Sequence, residues 1–71
     1  MERVIVNSSS LASIGYDETT HILEVEFNYG GIYQYYFVPR QCHQELMTAS
    51  SHGTYFERNI KKAGYSYKRI S

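Results

Sequence analysis

The chain has 71 residues, with seven basic and seven acidic side chains, a hydrophobic fraction of 42% and eight tyrosines. A chain of this size buries only about 60% of its unfolded surface on folding, which is too little for two separate hydrophobic cores. We therefore expect one domain over residues 1–71. The net charge is zero, so the chain lacks the overall basic character that is typical of many proteins that bind nucleic acids or membrane surfaces.

Strand patterns dominate the first half of the chain. A β-branched run at residues 4–6 and three serines precede the first strand, at residues 11–16. After a turn cluster, residues 21–27 alternate apolar and polar side chains with the period of a half-buried strand, and residues 32–38 form the next strand. These segments predict a three-stranded antiparallel meander.

The loop between the last two strands decides which tyrosines are buried. A three-residue loop at residues 29–31, with a glycine in the left-handed conformation, keeps the large side chains of both strands on one face. A slip of one residue would turn that face to solvent. Glu24 and Glu26 then form an exposed acidic face on the other side of the sheet. The predicted register pairs Phe27 with Tyr33, Val25 with Tyr35 and Leu23 with Phe37.

Two short helices are predicted after these strands. Pro39 suits the first turn of a helix that ends near Ala49. Ser51 is the N-cap candidate of a second helix that stops at Gly64. Their apolar stripes are Cys42, Leu46 and Ala49 in the first helix, and Phe56, Ile60 and Ala63 in the second.

The predicted fold class is therefore α+β, a three-stranded antiparallel meander packed on one face by two short helices. Residues 65–70 alternate once more, and the pattern leaves open a short fourth edge strand or a tail. Tyr33 and Tyr35 share the face on which the helices pack, so we expect them in the core rather than as exposed rings that stack on bases.

Several short motifs follow one another along the chain. They are Ile14-Gly15-Tyr16-Asp17, Leu23-Glu24-Val25-Glu26-Phe27, Tyr33-Gln34-Tyr35, Val38-Pro39, Leu46, Ala49-Ser50-Ser51-His52-Gly53, Tyr55-Phe56 and Ile60. In this order and spacing they resemble the KTSC domain, a family found at the C-terminus of some lysyl-tRNA synthetases and as stand-alone bacterial proteins. The resemblance covers residues 7–68. It implies a small domain without an established activity, for which the synthetase partner suggests RNA binding.

The residues that could carry catalysis do not form a known pattern. Cys42 and His43 are sequence neighbours, and neighbours in a helix point about 100° apart, so they are not a preformed dyad. The spacing of Cys42 and the three histidines, His21, His43 and His52, matches no zinc pattern. We expect no catalytic, metal or cofactor site and therefore a protein that is not an enzyme.

Charge is unevenly distributed along the chain. Residues 1–39 carry one basic against five acidic side chains, whereas residues 40–71 carry six basic against two acidic ones. A basic helix face is usually only a solvated one; the alternative is an anion or nucleic-acid site, which basic residues at helical spacing, interleaved tyrosines and an open helix start would provide. The candidate residues for contact with RNA or another polyanion are Ser51, Gly53, Arg58, Lys61, Lys62, Tyr65, Tyr67, Lys68 and Arg69.

A protein-interaction or self-association module is the alternative hypothesis, because the stability margin is thin and the two halves are oppositely charged. It predicts an exposed apolar patch around Ile22, Tyr36 and Val38. A single cysteine, Cys42, permits no internal disulfide, and no segment has the pattern of a signal peptide or of a membrane span. The expected location is the cytoplasm, without a membrane partner.

Overall fold

Five antiparallel strands form one sheet in chain order in the computed structural model, which describes residues 1–71. The predicted meander is thus confirmed, and residues 67–69 form the edge strand that the sequence left open. The run near the N-terminus adds a strand at the other edge. The strands are β1 Arg3–Ile5, β2 Leu11–Asp17, β3 Ile22–Phe27, β4 Ile32–Tyr35 and β5 Tyr67–Arg69.

Two helices follow β4 and cover one face of the sheet. Helix α1 spans Arg40–Thr48, and α2 spans His52–Phe56 and continues into a π-helical turn, Glu57–Lys61. As predicted, Ser51 caps α2, since its Oγ accepts a hydrogen bond from the Thr54 backbone N–H at 3.2 Å. None of these helices has the length and apolar character needed to cross a bilayer.

The hydrophobic core lies between the helices and this face of the sheet. The helices contribute Leu46, Phe56 and Ile60, whereas Ala63, which was predicted to face inward, is exposed because the helix has already ended. Tyr35 is buried as predicted, and Tyr33 is only half-buried at the margin of the helical layer. The strands contribute the other buried apolar side chains, Leu11, Ile14, Leu23, Val25, Phe27 and Tyr35, and Val38 completes the cluster.

The register between β3 and β4 keeps the predicted face but differs by two residues. The three-residue loop is 28–30, because the Phe27 N–H donates to the Gly31 carbonyl at 3.1 Å and the Gly30 N–H donates to the Phe27 carbonyl at 3.0 Å. Leu23 therefore pairs with Tyr35. The predicted pairing of Leu23 with Phe37 is wrong, since β4 ends at Tyr35.

The segment after β4 places its side chains differently from the prediction. Phe37 has a φ of 59° and is 80% exposed. This left-handed residue turns the chain so that Val38 enters the core, where its N–H donates to the His21 carbonyl at 3.0 Å. Because Val38 is fully buried and Ile22 and Tyr36 are half-buried, the predicted apolar patch on the second sheet face is wrong.

The predicted exposed acidic face is also wrong at Glu24, which is only 5% exposed. Its carboxylate pairs with the Arg3 guanidinium and accepts a hydrogen bond from Gln34 Nε2 at 2.9 Å. The Arg3 Nε also donates to Ser13 Oγ at 2.9 Å, and Ser13 donates to Glu26. A polar network thus covers the sheet face opposite the helices.

Gly15 makes room for this network. It lies between Arg3 and Glu24 in the register of the three adjacent strands. A Cβ atom at Gly15 would lie 2.6 Å from the Glu2 carbonyl oxygen and 3.0 Å from Arg3 Cγ. The absence of a side chain lets Arg3 pass over β2 and reach the carboxylate.

We therefore expect Gly15→Ala to lower the free energy of unfolding by about 1–3 kcal/mol, because the new methyl group clashes with the Glu2 carbonyl, which can move only if β1 shifts with it. Urea unfolding followed by far-UV circular dichroism measures the change. An unfolding free energy within about 0.5 kcal/mol of the parent protein's would contradict the close approach of β1.

Candidate anion-binding site

A polar groove of about 370 Å³ opens beside the first turn of α2. The β1–β2 loop forms one wall, the start of α2 forms the floor, and the π-helical turn with the residue after it forms the other wall. No hydrophobic residue lines it. We call it the serine groove, and its lining residues are Ser9, Ser10, Ser51, Gly53, Thr54, Glu57, Arg58 and Lys62.

Local hydrogen bonds fix the wall that the β1–β2 loop provides. Ser8 Oγ accepts from the backbone N–H groups of Ser10 and Leu11 at 3.2 and 3.3 Å. Asn28 Nδ2 donates to the Ser8 carbonyl at 2.7 Å, and the Asn28 N–H donates to the Ser10 carbonyl at 2.9 Å. The loop is therefore held against the β3–β4 hairpin and presents its hydroxyl groups in a defined position.

Gly53 allows the two sides of the groove to meet. A Cβ atom at this position would lie 3.1 Å from Ser10 Oγ and 3.3 Å from Ser10 Cβ, which is tighter than most side-chain contacts. The glycine therefore lets the start of α2 approach the serine loop closely. This contact joins two segments that are more than 40 residues apart in the sequence.

The charges in the groove are positive overall. Arg58 and Lys62 are exposed and make no ion pair, whereas the acidic residue Glu57 is paired with Lys61 at 3.8 Å. Spaced by four residues, Arg58 and Lys62 lie on the same side of the helical segment. Two unpaired cations beside serine and threonine hydroxyl groups can bind an oxyanion such as a phosphate group.

The structure brings four of the nine predicted site residues together in this groove: Ser51, Gly53, Arg58 and Lys62. Lys61 borders an adjoining groove, and Tyr65 lines a separate cleft with Cys42 and Tyr55. The remaining three lie on β5, where strand alternation puts Lys68 on the opposite face from Tyr67 and Arg69.

Sequence reasoning missed Ser9 and Ser10 as members of this site. The sequence pattern assigns them only to the polar segment before the first predicted strand, although three consecutive serines form an unusual concentration of hydroxyl groups. This run of three serines was the only local sequence signal for Ser9 and Ser10. Its approach to α2 is a long-range contact that no local pattern encodes.

The cysteine and histidine side chains point to different neighbours. The Tyr55 hydroxyl donates to the Glu45 carboxylate at 2.7 Å and lies 3.8 Å from Cys42 Sγ, and burial raises the pKa of the Cys42 thiol. His43 stacks on Tyr16 at 4.8 Å between ring centroids, and burial lowers the pKa of His43. His52 Nδ1 lies 2.8 Å from the Leu46 carbonyl oxygen. No three histidine, cysteine, aspartate or glutamate side chains converge as metal ligands would.

Comparisons with known proteins agree on one family. The KTSC domain matches residues 7–67. An uncharacterised protein of Stutzerimonas stutzeri is 47% identical over 70 residues, covering 99% of both chains. A lysine–tRNA ligase of Nostoc sp. is 38% identical over 63 residues, which are 89% of this chain but 11% of the ligase. The crystal structure of a KTSC domain protein from Yersinia pestis is 40% identical, with a TM-score of 0.93 over 99% of this chain and 97% of that one.

Proposed function

The chain belongs to the KTSC domain family, and from this membership and the serine groove we propose that it is a non-catalytic domain that binds RNA, including tRNA. The observation that carries the proposal is the pair of unpaired cations, Arg58 and Lys62, in a groove lined by hydroxyl groups and free of apolar side chains. Similarity to ligases whose names include tRNA supports the choice of RNA among polyanions.

The groove binds the phosphate backbone in this proposal. Arginine, lysine, serine and threonine are the usual partners of phosphate oxygens, and contacts of this kind carry no base sequence directly. Two phosphate contacts on single-stranded RNA give a slope of about −1.4 in a plot of log affinity against log salt concentration. Affinity is therefore modest, and it falls with salt without depending on RNA sequence.

Charge reversal in the groove tests the proposal. We expect Arg58→Glu with Lys62→Glu to weaken binding of labelled tRNA, and of an unrelated RNA, by about 10- to 100-fold in low salt. Fluorescence anisotropy titrations measure the affinity, and a salt series gives the slope.

The matched control reverses two charges elsewhere. Arg40 begins α1, and Lys68 lies on the sheet face opposite the helices, so Arg40→Glu with Lys68→Glu changes the net charge equally without touching the groove. It should lower affinity by less than about threefold. Equal losses in both double variants, or no binding by the parent protein in low salt, would refute the proposal.

A second candidate function is self-association, and the exposed edge strand β1 favours it. Val4 and Ile5 are 57% and 86% exposed there, and an unpaired strand with exposed apolar side chains can extend a sheet with a second copy. A mass from sedimentation equilibrium that is twice the monomer's would support this candidate, and a monomer mass at high concentration would exclude it.

A cytoplasmic location is part of our proposal, on the ground that Cys42 is unpaired.

A further inference from the structure

Tyr29, at the tip of the β3–β4 hairpin, is an exposed ring held in a fixed orientation. It is 78% exposed, yet it stacks on Phe27 with a centroid distance of 5.2 Å and an interplanar angle of 20°. Phe27 is buried and contacts Phe56 edge-on at 5.4 Å. The core thus supports Tyr29 on one side and leaves the ring otherwise open to water.

A second, smaller groove connects Tyr29 to the serine groove. It has a volume of about 170 Å³ and is bordered by Tyr29 and Lys61. Three residues, Ser10, Gly53 and Glu57, line both grooves. A chain whose phosphate lies in the serine groove therefore has a continuous path to the open ring of Tyr29.

The aromatic surface continues across the sheet margin to β5. Phe27 contacts Tyr33 edge-on at 5.5 Å, and Tyr33 lies 6.1 Å from Tyr67, which is 63% exposed. The Arg69 guanidinium lies over the Tyr33 ring, 6.0 Å from its centroid, and its Nε donates to the Ser71 oxygen at 2.9 Å.

Gly31 provides the space for the Arg69 side chain. A Cβ atom at Gly31 would lie 3.2 Å from Tyr33 Cε1 and 3.5 Å from Arg69 Cζ. At β5, this surface therefore combines the positive charge of Arg69 with the exposed ring of Tyr67. At its other end, the serine groove supplies the positive charge and Tyr29 supplies the exposed ring.

Exposed rings near basic side chains suit single-stranded nucleic acids, because backbone phosphates bind the cations while unpaired bases stack on the rings. Bases inside a duplex are already stacked on each other and cannot reach such rings. We infer that the RNA class bound here is single-stranded, with unpaired bases stacked on Tyr29 and Tyr67. This inference rests on the proposed function and adds to it the state of the RNA.

The test compares an oligoadenylate of about 12 nucleotides with an RNA duplex of the same length, in low salt. We expect the parent protein to bind the single strand about tenfold more tightly. Tyr29→Leu and Tyr67→Leu should each weaken single-strand binding by about 5- to 100-fold and leave duplex binding unchanged. Tyrosine emission should also be quenched by the oligonucleotide, and no tryptophan interferes with this signal.

Two control variants separate stacking from other effects. Tyr29→Phe keeps the ring and should retain single-strand affinity, whereas Tyr36→Leu removes a half-buried ring outside this surface and should also leave it unchanged. If single strand and duplex bind equally and Tyr29→Leu has no effect, the inference is wrong while RNA binding stands. If neither RNA binds, the proposed function fails and the inference with it.

Discussion

Replacing Glu24 with alanine is expected to lower the free energy of unfolding by about 2–4 kcal/mol at neutral pH. The carboxylate is buried and pairs with Arg3, whose side chain is only 28% exposed, and it accepts the hydrogen bond from Gln34. The substitution leaves a largely desolvated guanidinium without a counter-ion and an amide without its acceptor. Urea unfolding followed by circular dichroism measures the difference.

Glu26→Ala is the matched control, because Glu26 lies on the same strand face, is half-buried and accepts only the hydrogen bond from Ser13. It should cost less than about 1.5 kcal/mol. The double variant Arg3→Met with Glu24→Leu should recover much of the lost stability, since an apolar pair leaves no unpaired charge. If Glu24→Ala were no more destabilising than Glu26→Ala, Glu24 would not be a structural carboxylate.

The ion pair between Arg3 and Glu24 also makes the stability of the fold depend on pH. Burial raises the pKa of Glu24, but hydrogen bonds from Gln34 and Arg3 outweigh it and hold the pKa below the ordinary value of 4.5. The carboxylate therefore stabilises the fold fully above pH 4.5, and this contribution is lost as the pH falls through the lower pKa of the folded state. The stability difference between the parent protein and Glu24→Ala should accordingly shrink on acidification.

Phe56→Ala is expected to cost about 3–5 kcal/mol. Phe56 is 3% exposed and contacts Phe27 and Tyr35 edge-on, at centroid distances of 5.4 Å in both cases. The truncation opens a cavity where α2 packs on the sheet. A domain of this length has a total stability of about 4–10 kcal/mol, so the variant should be largely unfolded at moderate temperature. Thermal unfolding followed by circular dichroism checks this expectation.

Phe37→Ala is the control for this substitution, since it removes the same ring from a side chain that is 80% exposed. Its cost should be below about 0.5 kcal/mol. The milder variant Phe56→Leu should remain folded with an intermediate loss, which keeps the comparison quantitative. Similar losses for Phe37→Ala and Phe56→Ala would contradict the packing of α2.

Local patterns account for the parts of the fold that were predicted correctly. Alternation identified β3 and its buried face, and the Ser51 cap is decided within a few residues of chain, whereas the helix ends at Lys61, before the predicted stop at Gly64. Local patterns could not determine the exact register between β3 and β4. Gly30 and Gly31 both adopt a positive φ, so either can end a three-residue loop, and the two choices differ by two residues in register.

Long-range contacts account for what the sequence did not predict. Glu24 has the sequence pattern of an exposed residue, and it is buried only because Arg3 arrives from 21 residues away across a glycine. Spacing along one helical segment predicted Arg58 and Lys62 as neighbours. The serine loop opposite them belongs to a distant part of the chain, as does Tyr29, which the sequence pattern assigned only to a turn.

The strand order also bears on how fast the domain folds. Strands β1 to β4 pair with their neighbours in the chain across short loops, whereas β5 joins β4 only across the long connection that contains both helices. Short loops cost little closure entropy, and proteins built from such pairings fold more rapidly than β-proteins with crossed connections of similar size. Strands β1 to β4 can therefore assemble hairpin by hairpin, which shortens the time that the apolar strands of a nascent chain spend unprotected, and only the addition of β5 depends on closing the longer helical connection.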